Sequence, residues 1–108
     1  MDWSVHDLND LSARRERIRE DYLEFLKVPA LNAGVYELKA GSADPQTPHD
    51  EDEVYYVVSG RAAFRVRGLE EEVRPGSVIY VARDVPHTFV NIEEDLRLLV
   101  FFSSWRNV

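Results

Sequence analysis

From Tyr22 onward the chain is a succession of short segments rich in Val, Ile, Tyr and Phe, nearly all closed off by turn-forming residues. These segments run over 22–28, 31–39, 54–58, 62–67, 71–74, 77–81, 87–92 and 96–102. Pro29, Gly41, Pro45, Pro48, Ser59-Gly60, Gly68, Pro75-Gly76 and Pro86 punctuate them. No interior stretch offers a crossover helix, so parallel βαβ units are excluded. What remains is an antiparallel, all-β sandwich or barrel. The stretch from Tyr22 to Leu26 is ambiguous, reading as readily as a helix extension as a first strand.

Before Tyr22 the vocabulary differs. From Ser4 to about Glu20 the chain is charged and helix-compatible, with Val5, Leu8, Leu11 and Ile18 near helical spacing and Arg15 interrupting the stripe. Ser4 and Asp7 have capping-box spacing, while Glu16 with Arg19 and Arg17 with Asp21 can pair on the exposed face. Acidic residues interleave the arginines, so this is a solvated face rather than a docking site for an acidic partner. The expected organisation is an N-terminal helical arm over 1–21 and a β-barrel domain over 22–108.

At 108 residues the chain is long enough to bury roughly 65% of the surface its unfolded form exposes, so a core needs no covalent staples. With no Cys, a disulfide framework, a thiol nucleophile and thiolate-bound zinc are all excluded. A net charge of -7 argues against nucleic acid or an anionic membrane as partner. Apolar runs such as 78–82 and 98–102 are too short to span a bilayer. The expectation is a soluble, cytoplasmic protein.

With thiolates absent, imidazole and carboxylate are the strong metal ligands on offer. His49 and Glu53 are separated by three residues after a Pro-rich turn, and His87 follows Glu53 by 34 positions in a second such turn. Two imidazoles and a carboxylate fill three positions on a first-row transition metal and leave others open. Strand alternation puts Glu53, Tyr55 and Val57 on one face and His87, Phe89 and Asn91 on another. Taken singly, each ligand has a plainer reading: His49 as a surface histidine, Glu53 as a strand-entry charge, His87 as a turn residue.

Two longer patterns reinforce the set. Gly41 through Gly60, GSADPQTPHDEDEVYYVVSG, resembles the first motif of the cupin superfamily, with His49, Glu53 and Gly60 on its spacing. Pro75 through Asn91, PGSVIYVARDVPHTFVN, resembles the second, with Pro75-Gly76 opening a strand and Pro86-His87 closing the turn. The resemblance implies a double-stranded β-helix, a jelly-roll barrel, commonly dimeric and binding iron, manganese, zinc, nickel or copper inside one end. Two positions depart from it: Thr47 stands where the motif has its first histidine, and Asp84 replaces a glycine often found before the second-motif histidine. Thr47 limits the ligand set to His49, Glu53 and His87, because a neutral hydroxyl is a poor ligand beside imidazole.

The sequence therefore predicts a metal-dependent enzyme on a small organic molecule, with dioxygenase-type oxidation the leading chemistry and iron the leading metal. Gln46 and Thr47 would orient water or substrate; Tyr55, Phe64 and Phe89 would line the pocket, with Tyr55 a candidate for proton transfer. The alternative is a non-catalytic module that binds a small molecule or a metal. Several strands are apolar on both faces, which predicts a homodimer.

Overall fold

The computed structural model describes residues 2–103. One helix, α1 (Leu8–Ile18), precedes six strands: β1 (Tyr22–Val28), β2 (Leu31–Leu38), β3 (Glu53–Val66), β4 (Leu69–Val73), β5 (Val78–Val81) and β6 (Thr88–Ser103). All pairing is antiparallel, in the order β1-β2-β6-β3-β4, with β5 also paired to β3. The ambiguous stretch at Tyr22 is strand.

The helix is shorter than its sequence pattern. Asp7, not Ser4, is the N-cap, its side chain accepting from the Asp10 amide at 3.1 Å, and Arg19 ends the helix in a left-handed conformation with φ 58°. Of the apolar stripe only Leu11 is buried, while Val5 and Ile18 face solvent. Arg15, which interrupts the stripe in sequence, points inward instead. It lies 3.5 Å from Glu37 on β2 and donates to the Glu20 carbonyl at 2.7 Å. A long arginine can cover apolar surface with its stem while its head finds acceptors.

Turn signals divide the sequence more finely than the backbone does. The segments 54–58 and 62–67 form one strand, β3, and 87–92 with 96–102 form another, β6. Ser59-Gly60 bends β3 without ending it, because Gly60 takes φ 98° and packs against the backbone of Asp95 and Leu96. Register irregularities between Val57 and Ala63 absorb the bend. On β6, Asn91 adopts φ 50° at the opposing irregularity, so it is exposed and Ile92 is buried in its place. The expected shared face of His87, Phe89 and Asn91 therefore stops at Phe89.

The core lies between the curled halves of this sheet. Tyr55, Val57, Phe64, Phe89, Leu96, Leu98 and Val100 form its centre. On the opposite face Ala33 and Val35 are fully covered, and among the described elements α1 touches only β1 and β2. Beyond that cover Tyr56, Val78 and Tyr80 are 40%, 69% and 65% exposed. Tyr56 pairs with Val78 and Val54 with Tyr80, so these side chains make one patch across β3 and β5. Among the described residues no helix is long and apolar enough to cross a membrane.

Candidate metal and ligand site

Glu53 and Tyr55 enter the core from the first turn of β3, between β5 and β6: Glu53 pairs with both Val81 and Phe102, and Tyr55 with both Ile79 and Val100. His87 arrives from the turn before β6. Two links tie the irregular segment 39–52 to the turn that carries His87. The Asp84 amide donates to the His49 carbonyl at 2.7 Å, and the Arg83 amide donates to Asp52 Oδ1 at 2.9 Å. Asp52 thus caps the loop with its carboxylate.

These elements bring two of the expected ligands into contact. His87 Nε2 lies 2.8 Å from Glu53 Oε1, and both side chains are 1% exposed. The protons can be placed from the partners. His87 Nδ1 faces the Val85 carbonyl at 2.8 Å and must donate to it. Tyr55 donates its hydroxyl proton to Gln46 Oε1 at 2.7 Å, and its oxygen is 3.0 Å from His87 Nε2. Gln46 has its amide oriented by Asp44, whose Oδ2 accepts from Gln46 Nε2 at 2.6 Å. The Tyr55 oxygen and the Glu53 carboxylate therefore both present lone pairs to Nε2, which carries a proton in the metal-free protein. The result is a buried imidazolium-carboxylate pair. Burial opposes that charge on His87, but the Glu53 hydrogen bond, the Val85 carbonyl and the charges of Glu53 and Asp44 outweigh it and raise the pKa above 6.5. Burial foremost, then the Glu53 charge, makes the Tyr55 hydroxyl harder to ionise than a free phenol.

One atom in this arrangement is left over. Glu53 Oε2 is buried and has no hydrogen-bond partner among the described residues. A buried carboxylate oxygen facing no donor is costly, and a cation beside it removes the cost. The donor set suits a metal in a second respect: a histidine that donates through Nδ1 to a backbone carbonyl is held with Nε2 ready as a ligand. The residues present fit a divalent ion at His87 and Glu53.

His49 stands apart from that pair. Its ring is half-buried and packs against Phe102, with ring centroids 4.8 Å apart. Among the described residues no group of three or more His, Cys, Asp or Glu side chains is arranged to hold a metal ion. Thr47 is exposed, whereas its neighbour Gln46 turns inward, the reverse of what simple alternation at the motif position suggests. Pro45 and Pro48 break the alternation there.

A cavity of about 320 Å³ adjoins the pair. Tyr55 and Gln46, hydrogen-bonded to each other and through Tyr55 to His87, form the side towards the candidate ligands; Tyr22, Tyr36, Val100 and Phe102 form apolar walls; and His49, Glu24, Asn32 and Glu51 complete it. Phe64 and Phe89 do not line this cavity. They pack against Tyr55 and Phe64 also against His87, at centroid distances of 5.1–6.1 Å, so their part is to hold the two polar rings in place. Gly34 is needed for one wall. A Cβ there would sit 2.2 Å from the Tyr22 ring, which lies directly over it.

Asp44 was not legible as a site residue. It accepts from the Tyr36 hydroxyl at 2.5 Å, from the Gln46 amide at 3.2 Å and from the Phe89 amide at 2.9 Å, besides the Gln46 side chain. Sequence showed it only as one of many acidic residues in an irregular segment. Tyr22 and Tyr36 were missed as cavity walls for a similar reason, because an inward strand aromatic does not reveal whether it meets packing or space.

Residues 34–102 match the family described as the Cupin domain, and the chain belongs to that family. An uncharacterised protein of Streptomyces coelicolor is 49% identical over 96 residues, covering 89% of this chain and 91% of that one. The fold is shared with KdgF from Halomonas sp., at TM-score 0.69 and 23% identity over 80% of this chain and 79% of that one. It is shared also with the DMSP lyase DddQ from Ruegeria pomeroyi, at 0.70 and 19% over 85% and 51% of the two chains. The polyketide cyclase RemF from Streptomyces resistomycificus aligns at 0.66 and 22%, over 76% and 63%. One fold thus carries several chemistries, and the site must argue for itself.

Proposed function

We propose that this cupin binds a divalent transition metal at Glu53 and His87 and acts on a small organic molecule held in the adjoining cavity. The observation that carries this reading is the buried Glu53 Oε2, without a hydrogen-bond partner among the described residues, on a carboxylate whose other oxygen lies 2.8 Å from His87 Nε2. His49, which lines the same cavity, is the remaining candidate ligand and would have to turn from Phe102 to join them. Such an ion would supply a Lewis acid with open positions for substrate. Tyr55 would hold its proton on Gln46 and present its oxygen towards the site, so it is the chain's own candidate for proton transfer. Phe64, Phe89 and Val57 keep water from that side of the polar cluster. Gln46 and Tyr55, rather than the exposed Thr47, would orient a bound molecule.

For the reaction, two histidines and one carboxylate suit iron and dioxygen, which supports a dioxygenase-type oxidoreductase. The hydrogen-bonded run from Asp44 through Gln46 and Tyr55 to His87 supports a second reading, non-redox proton transfer as in a lyase or isomerase. A non-catalytic binding module is the outcome if no metal is held. Elemental analysis of protein purified without added metal or a chelating tag, repeated on Glu53→Ala, His87→Ala and His49→Ala, tests the reading. Stoichiometric metal in the wild type, lost in the first two variants, supports it; undiminished occupancy in all three would exclude the assigned ligands. Oxygen uptake by the iron-loaded protein then separates the two chemistries.

We also propose that the chain works as a homodimer. The patch of Tyr56, Val78 and Tyr80 lies outside the cover of α1, and a two-fold pairing is the commonest way to bury such a face. Sedimentation equilibrium at micromolar concentration should return twice the 12.5 kDa chain mass.

A further inference from the structure

The cavity beside the metal pair is a chamber for positive charge. Four aromatic rings face it, from Tyr22, Tyr36, Tyr55 and Phe102. Tyr22 stands edge-on to both Tyr36 and Phe102, at centroid distances of 6.3 and 6.4 Å, so these rings form a connected wall rather than isolated contacts. Two carboxylates, Glu24 and Glu51, line it, and among the described residues no Lys or Arg does. Behind the walls Asp44, bonded to Tyr36, adds a third carboxylate, whereas Glu53 is paired with His87.

Two wall tyrosines sit in the resulting field. Beyond the effect of burial, the charges of Glu24 and Glu51 oppose ionisation of the Tyr22 hydroxyl, and those of Asp44 and Asp21 oppose ionisation of Tyr36. A negative potential inside aromatic walls repels carboxylates and phosphates. It attracts cations twice over, through the carboxylates and through the ring faces. Neutral molecules would gain the apolar contact alone.

We infer that the ligand of this cavity is a small organic cation, carrying an ammonium or sulfonium centre that seats among Tyr22, Tyr36 and Phe102 with Glu24 and Glu51 as its counter-charges. This deepens the proposed function by naming the substrate class of the same site. It does not need the metal, because the charge preference comes from side chains already in place. A volume of about 320 Å³ is at the small end for ligand pockets, which limits the occupant to a compact molecule.

The test uses three compounds of similar shape: choline, its neutral carbon isostere 3,3-dimethyl-1-butanol, and the anion trimethylacetate. Each is titrated into the protein as purified and again after chelation, with calorimetry for affinity and aromatic NMR shifts for location. Choline should bind about tenfold or more tighter than the alcohol, and trimethylacetate more weakly than either. Chelation should leave that order unchanged. Glu24→Gln, at an exposed position that tolerates change, should reduce choline affinity severalfold and leave the alcohol unaffected. Equal affinity for choline and the alcohol, preference for the anion, no choline binding, or selectivity that vanishes on chelation would each overturn the inference. Metal content is measured separately, so loss of the metal reading and loss of this one are distinguishable.

Discussion

Replacing His87 by Ala in the metal-free protein should cost about 3–5 kcal/mol, the range for removing one partner of a buried ion pair. The size follows from what is left behind. Glu53 is 2% exposed, its Oε2 already lacks a partner among the described residues, and the substitution removes the 2.8 Å contact that satisfies Oε1. The imidazole also fills space beside Tyr55 and Phe64, at centroid distances of 5.8 and 5.6 Å, so its loss opens a void as well. For a chain of 108 residues the unfolding entropy is roughly 0.23 kcal/mol/K, which converts that cost to a fall in Tm of roughly 13–22 °C. Urea denaturation followed by circular dichroism, with chelator throughout, measures it. Glu53→Leu combined with His87→Phe should recover most of the loss, because it replaces the stranded charge with apolar volume. A His87→Ala loss below about 1 kcal/mol would refute a buried charge pair. A double variant no better than the single one would assign the damage to packing alone.

The pair should also leave a pH signature. Because the folded-state pKa of His87 is raised, its contribution is fully present below the ordinary value of about 6.5 and is lost as pH rises through the folded value. The stability difference between chelated wild type and the Glu53→Leu/His87→Phe variant should therefore move against the wild type from pH 6 to pH 9, as chemical denaturation at each pH will show. Metal affinity should run the other way, rising with pH as the competing proton leaves Nε2. Gly60→Ala should cost about 3 kcal/mol or more, because its Cβ would fall 2.3 Å from the Asp95 carbonyl oxygen at φ 98°. Gly68→Ala, at φ 80° with open space around it, should cost only about 1–2 kcal/mol by the same denaturation assay. Thr47→His should leave metal affinity unchanged, since the position is exposed, whereas Gln46→His should tighten it by placing an imidazole beside Tyr55. Chelator competition distinguishes the two, and a tighter Thr47→His would mean that the 39–52 segment can turn that residue inward.

Local physics was enough for the fold class and for part of the site. Short β-rich segments between turn formers, with no room for crossover helices, dictate an antiparallel all-β barrel. Alternation by itself puts Glu53, Tyr55 and Val57 on one buried face, and the structure has them at 2%, 1% and 0% exposure. The two Pro-rich turns mark where His49 and His87 must lie.

What sequence could not decide are questions of distance between residues remote along the chain. Whether Ser59-Gly60 ends a strand or bends one depends on β6 lying against Gly60, and only the assembled sheet supplies that neighbour. Arg15 looks like a flaw in an amphipathic stripe until β2 brings Glu37 within 3.5 Å. Asp44 is anonymous among acidic residues until four donors, from Tyr36, Phe89 and Gln46, converge on its carboxylate. Motif spacing likewise groups His49, Glu53 and His87. The tertiary structure joins only the last two and rests the His49 ring on Phe102, because side-chain direction in an irregular, proline-broken segment is set by what it packs against rather than by its position in the chain.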